Sequence, residues 1–230
     1  MIEDIEMNEV NIDISEILIG DDTELDFNLN DFKIDGIDEV KKRYKKPVFK
    51  KLNSKVSYEN ARKFAKDIKL EKGEQFHAII QGNFIFGDMI EALLIDRKLQ
   101  CSEMYISTLS LSQNNVDSLA GLIKNENIIN LNLILSNYFY SHEKHKLMKY
   151  LLQECDIENK LDVMIIRNHT KIILMRINNM HIVISGSSNL RSSNSIEQII
   201  IQESEELYNF YRDWFENYRN QSIINKEVKA

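Results

Sequence analysis

Two cysteines, one proline and no long apolar run set the first limits on this chain of 230 residues. Cys101 and Cys155 form neither a CxxC pair nor a zinc-ligand spacing, so they read as small buried thiols of a reducing cytosol. No apolar stretch reaches about 18 residues, so no segment reads as a membrane span. The opening residues, MIEDIEMNEV, are acidic and lack a basic region, so they do not read as a secretory leader. These absences point to the cytoplasm and away from a membrane partner. Pro47 is the single proline and glycines total seven, and neither figure carries a functional signal. No segment repeats another, and His-x-Lys occurs once as part of a larger pattern.

What is present is uneven. Hydrophobic residues make up 43% of the chain, enough for one sizeable core with some chain left over. The formal net charge of -7 conceals two opposite regions. Residues 1–40 hold 14 Asp and Glu against Lys33 alone, a net of -13, which leaves +6 for residues 41–230. The acidic segment alternates its acids with Ile12, Ile14, Ile17, Leu18, Leu25, Phe27 and Phe32 and shows no helical or strand period. It reads as extended in isolation, serving either as a solvating tail or as a docking segment for a protein partner. The following run, KKRYKKPVFKKLNSK, brings Lys41, Lys42, Arg43, Lys45 and Lys46 together. Such a run suits contact with nucleic-acid phosphates, and equally a solvated linker balancing the acidic neighbour.

From residue 57 the periodicities become regular. Ser57 is placed to cap a helix whose face is Ala61, Phe64, Ala65 and Ile68. FHAIIQGNFIF (76–86) reads as a strand, Asp88 with Glu91 as a capping box, and Met89 to Leu94 as a short helix. Strands follow at 101–111 and 128–137, separated by a helix marked by Val116, Leu119, Ala120 and Ile123. A long helix carries Leu147, Met148, Leu151 and Leu152. Four strands come next, at LDVMIIR, KIILMRI, HIVISGS and EQIIIQES. The last helix has Leu207, Phe210, Tyr211, Trp214, Phe215 and Tyr218 as a core stripe. This order argues an α/β fold with helices on a mixed β-sheet.

The chemistry concentrates in HTKIILMRINNMHIVISGSSNLRSSNSIE, residues 169–197. Strand side chains repeat with period two, so His169 and Lys171 share a face. Gly186-Ser187-Ser188-Asn189 supplies a small turn of amide and hydroxyl donors, and Asn194-x-x-Glu197 follows. An imidazole, a cation and such donors are what phosphoryl transfer needs, since it depends on positioning and on stabilising spread negative charge.

This pattern resembles the histidine-lysine-aspartate half-site of the phospholipase D superfamily: His-x-Lys, four residues, Asp, about six residues, Gly-Ser-x-Asn, and a later glutamate. The sequence departs at two points. Arg176 occupies the Asp slot, and nine residues separate it from Gly186, which suggests a wider hairpin around 178–180. The resemblance implies a phospholipase D-like half-domain over 71–222, preceded by the acidic segment (1–40) and a basic linker with a short helix (41–70), and followed by a tail (223–230). It further implies His169 as nucleophile, Lys171 and Asn189 as phosphate holders, Glu197 orienting the imidazole, and Ser187 adding a phosphate contact; Arg191, next to the turn, is placed to add another. It implies no metal and no other cofactor. One half-site per chain implies a homodimer.

Two functions follow as expectations. One is a homodimeric phosphodiesterase acting on DNA or RNA through a phosphohistidine. The other is a catalytically silent module that binds nucleic acid or assembles with protein, as on a phage or other mobile element. Asn83, Ser107, Thr108, Asn137 and Tyr138 stand at strand tips, where they rim a site or cap helices. Asn114 or Asn115 reads as a cap. His142 and His145 read as a helix surface, and His77 and His181 as structural.

Overall fold

Cys101 to Thr108 shows how this sequence makes a sheet: Met104 and Ile106 turn to one side, Tyr105 and Ser107 to the other, and all four are buried. A strand buried on both faces belongs inside a layered fold. In the computed structural model, which describes residues 51–55, 61–80, 86–191 and 195–219, eight strands form a single sheet. They are β1 (Lys51–Lys55), β2 (Glu74–Ile80), β3 (Cys101–Thr108), β4 (Leu131–Ser136), β5 (Leu161–Ile166), β6 (Ile172–Ile177), β7 (Met180–Gly186) and β8 (Glu197–Glu203). The helices are α1 (Ala61–Asp67), α2 (Phe86–Asp96), α3 (Gln113–Lys124), α4 (Asn137–Glu143), α5 (Leu147–Cys155) and α6 (Glu205–Tyr218).

The strand order is β1-β2-β8-β7-β6-β3-β4-β5. Neighbours β3, β4 and β5 run parallel, as do β1 and β2. β6 is antiparallel to β3 and β7, and β8 is antiparallel to β7 and β2. The fold is therefore α/β with a mixed sheet flanked by helices. One edge of the sheet collects the carboxyl ends of β2, β3, β4, β5 and β7 and the amino ends of β6 and β8.

Two apolar clusters lie on the two faces. The larger joins the inward residues of α1, α2, α3 and α5 to Phe76, Ile106, Leu133, Ile165, Met175 and Ile184. The smaller joins α6 to Tyr105, Ile134, Met164, Leu174 and Val183. α6 is started by Ser204, whose hydroxyl accepts from the Leu207 amide, with Glu205 and Glu206 favourably placed against the helix dipole. Its anchors Tyr208 and Phe215 are fully buried, each contributing roughly 1.5–3 kcal/mol of burial.

Several sequence expectations are corrected. Lys51–Lys55, inside the stretch read as a linker, pairs with β2 as a parallel edge strand. The first long strand is described over Glu74–Ile80, and Phe86 already belongs to α2. Asp88 therefore lies in the first turn of α2 and is not its cap. The cap of α3 is Ser112, and Asn115 completes the box by accepting from the Ser112 amide. The single long helix is two, and Leu152 is exposed. The hairpin after β6 is a two-residue turn at Asn178 and Asn179, not a wide one; Asn178 tolerates its φ of 53° as asparagine does. The additional residues lengthen the strands. Ser57, Asn83, Asn194, the basic residues 41–46 and the acidic segment lie outside the described residues.

Candidate functional site

The loop from β5 to β6 must cross the ends of β4 and β3, because β5 is the edge strand and β6 pairs with β3. A buried polar knot carries it across. Asn168, only 6% exposed, donates to Ser107 Oγ at 2.8 Å and to the Ile134 carbonyl at 3.2 Å. Its own carbonyl oxygen accepts from the Thr170 amide and hydroxyl at 2.9 and 2.8 Å. Thr170 Oγ1 also meets Ser107 Oγ at 2.6 Å. With 168 and 170 turned inward, His169 is presented to solvent between them.

Lys171 shares its face, as the period-two argument requires. Its Nζ lies 3.2 Å from His169 Nδ1 and donates to the His169 carbonyl at 3.0 Å. An ammonium has only donors, so this contact makes Nδ1 the acceptor and leaves the ring proton on Nε2. Burial lowers the Lys171 pKa below the usual lysine value, and the Glu197 carboxylate opposes that shift.

Gly186 closes the other side. Its amide donates to the Lys171 carbonyl at 3.3 Å, and Ser187 N donates to the Gln198 carbonyl at 3.0 Å. A Cβ on Gly186 would stand 2.0 Å from the Gln198 carbonyl oxygen, so the approach of β8 permits only glycine. Ser187 Oγ donates to Glu197 and accepts from the Gln198 amide. Asn189 reaches β3, where its Oδ1 accepts from Thr108 Oγ1 and from the Leu109 amide, both at 3.3 Å. The amide nitrogen is the end of the side chain not used in these contacts. The Leu190 carbonyl is clamped by the Gly87 amide at 3.1 Å and by Asn115 Nδ2 at 3.2 Å. This fixes the loop to the starts of α2 and α3.

His169, Lys171, Ser187, Asn189 and Glu197 therefore stand at one edge of the sheet. Arg191 is exposed at the end of the same loop. Glu197 accepts from Ser187. Arg176 is elsewhere. It lies at the far end of β6, about 13 Å from Ile172 at the usual strand rise. There it pairs with Glu103 at 3.1 Å and lies over the Tyr208 ring at 5.7 Å. The slot that bears Asp in the resembling pattern is thus occupied by a side chain held against Glu103 and Tyr208. A separate cleft of about 440 Å³, lined by Gln113, Glu143, Lys146, Leu147 and Tyr150, includes none of these groups.

The sequence signalled His169, Lys171, the Gly-Ser-Ser-Asn turn and Glu197. Asn168 and Thr170 were missed, although a polar residue on each side of an exposed histidine was a readable sign. Among the described residues no group of three or more His, Cys, Asp or Glu is placed to hold a metal ion, and no helix is long and apolar enough to cross a membrane.

No family model matches the chain, and no curated protein matches it. Solved structures give three likenesses. An archaeal chromatin protein, TrmBL2, with a novel mode of DNA binding, has 10% identity and a TM-score of 0.45 over 68% of this chain and 55% of its own. Polyphosphate kinase from Porphyromonas gingivalis has 10% identity and a TM-score of 0.43 over 60% of this chain and 25% of its own. Phosphatidylserine synthase from Haemophilus influenzae has 13% identity and a TM-score of 0.47 over 63% and 38%. The chain thus spans about half or less of each of these proteins, and values this low assign it no family and no activity.

Proposed function

We propose that the chain is a phospholipase D-type phosphodiesterase that cleaves nucleic acid at a site completed by a second copy of itself. The reading is supported by the placement of His169, Lys171, Ser187, Asn189 and Glu197 at one edge of an α/β sheet, the kind of edge where such folds gather ligands. The reaction has two balanced steps. The substrate phosphate draws Lys171 from Nδ1 onto its own oxygens, and the ring proton moves to Nδ1. His169 Nε2 then attacks phosphorus, and the bond to the leaving oxygen breaks. His169 of the partner subunit, which enters the step as an imidazolium, gives that oxygen its proton. The partner histidine, now neutral, takes a proton from water, whose oxygen displaces His169 from phosphorus. Lys171 and the Asn189 amide hold the spread charge.

Nucleic acid is the substrate class because residues 41–230 carry a net +6 and begin with the basic run. The test is cleavage of labelled DNA and RNA by wild type and His169→Ala. The expected loss in the variant is on the order of 10³-fold or more. Undiminished cleavage by His169→Ala overturns the mechanism.

A second reading has its own support. Nδ1 of His169 faces an ammonium instead of a carboxylate, which suits an anion-binding pair without turnover. In that case the chain is a binding or assembly module. Salt-sensitive binding of nucleic acid with no cleavage by wild type selects it.

A further inference from the structure

Among the described residues, five large apolar side chains are exposed, and the two most exposed, Tyr138 (59%) and Ile196 (70%), both stand at the edge that carries His169. Ile196 immediately precedes β8 and Tyr138 follows β4, so they lie on opposite flanks of the loop entering β6. Neither is accounted for by packing. Tyr138 is nevertheless held. Its ring stacks on His142, with centroids 4.3 Å apart and planes tilted by 40°. His142 Nδ1 and Ser141 Oγ each lie 2.8 Å from the Tyr138 carbonyl. The turn beneath is fixed by Ser136, whose hydroxyl accepts from the Phe139 amide at 2.9 Å, and by Phe139, buried in the core.

The placement relative to His169 follows from register. Ser136 and Ile166 are paired ends of β4 and β5, strands about 4.8 Å apart. Tyr138 lies two residues past the first and His169 three past the second. Asn168 is bonded back to Ile134 on β4. His169 shares its parity with Lys171 and Ile173, hence the face covered by the helical layer, and α4 packs its Phe139 and Tyr140 into that layer.

We propose that Tyr138, braced by His142, is a stacking platform for an unpaired base next to the phosphate held by Lys171, so that the site takes single-stranded nucleic acid. The inference rests on the proposed function for its phosphate subsite. A braced aromatic ring open to solvent accepts the face of any base, and in a duplex that face is already covered by its neighbours. Ile196 supplies an apolar wall for the chain on the other flank.

The experiment measures binding of a fluorescent single-stranded oligonucleotide, and of the matching duplex, to wild type, Tyr138→Leu and Tyr138→Phe at one fixed salt concentration. Tyr138→Leu should weaken single-strand binding by about 5- to 150-fold, and Tyr138→Phe by less than about twofold. Duplex binding should not change. Each variant's molecular mass in solution is measured alongside. No effect of Tyr138→Leu, an equal loss on duplex, an equal loss in Tyr138→Phe, a loss that accompanies altered oligomeric mass, or no single-strand binding by wild type overturns the platform. Cleavage is scored separately. Tyr138-dependent binding without cleavage sinks the catalytic reading and leaves the platform standing. Cleavage indifferent to Tyr138 does the reverse.

Discussion

Lys171 and Arg176 stand at the two ends of β6, and their surroundings differ in kind. Arg176 is held by charge and ring, although its buried Nε has no hydrogen-bond partner: Glu103 pairs with its guanidinium, Tyr208 lies under it, and Glu103 also accepts from the Tyr208 hydroxyl at 2.9 Å. Tyr105 extends the network to Glu216, which Arg219 holds at 2.7 Å. Among the described residues no carboxylate forms an ion pair with Lys171. Its Nζ rests on an imidazole and a carbonyl, while the nearby Glu197 is occupied by Ser187. One end pins a helix to the sheet. The other holds a cation that an arriving anion can recruit at little cost. A cation matched to a carboxylate fixes structure, and one resting on neutral acceptors stays open to an anion.

The largest expected effect is at the His169 end of β6. His169→Ala is expected to abolish cleavage, as stated above, yet to shift unfolding free energy by less than about 0.5 kcal/mol, because the ring is exposed. Urea denaturation checks the second half, and a large destabilisation would mean that the site end is structural too.

Gly186→Ala should cost about 3 kcal/mol or more, since the new methyl meets backbone and not a movable side chain. Urea midpoints of wild type and variant check it, and a change under about 1 kcal/mol would show that β8 can give way.

Asn168→Ala removes the knot under His169 and leaves Ser107 and Thr170 short of partners. Stability should fall by about 1–3 kcal/mol and turnover should fall with KM little changed. Unaltered turnover in folded protein would deny Asn168 a positioning role.

At the other end, Arg176→Asp restores the acid of the resembling pattern but sets it against Glu103. It should lose about 1–2 kcal/mol and gain no activity. Raised turnover in this variant would show that the slot serves the reaction.

The smallest effect is in alkaline pH, where the two ends have opposite signs. Burial, with Glu103 beside it, raises the Tyr208 phenol above its ordinary value. The unfolded chain then releases this proton first, so the contribution is complete below about pH 10 and is lost as pH rises further. The Lys171 value is lowered, so its contribution is complete above about 10.4 and is lost as pH falls through the folded value. Relative to Tyr208→Phe, wild type should lose stability on going alkaline. Relative to Lys171→Met, it should gain slightly. Parallel urea titrations from pH 8 to 11 read both differences, and equal signs would refute the contrast.

Much of the fold was readable because it rests on local period. The face Val116, Leu119, Ala120 and Ile123 is buried, and the four strands after residue 160 stand where alternation put them. The site was readable as residue types in order, and the register of β6 with β7 and β8 brings those types together. What escaped depends on partners distant in sequence. Nothing near Arg176 announces Glu103, 73 positions away but directly opposite on β3. The break between α4 and α5 lies in a polar stretch, SHEKHK, where helix period says little. Asn168 acquires its importance only when a loop crosses β3 and β4.

The tight turn at Asn178 and Asn179 also sets a sequence of events. A hairpin zips from its turn, on a scale of about 1–10 μs. The Arg176–His181 rung lies next to that turn, and the Lys171–Gly186 contact is the last tooth at the open mouth. The anchored end is thus assembled first, and fraying starts beside the imidazole. In native-state hydrogen exchange the Gly186 amide should open at lower free energy than those of Ile182 to Ile184. The reactive pair would then be the youngest part of the hairpin at every refolding and the earliest to come undone.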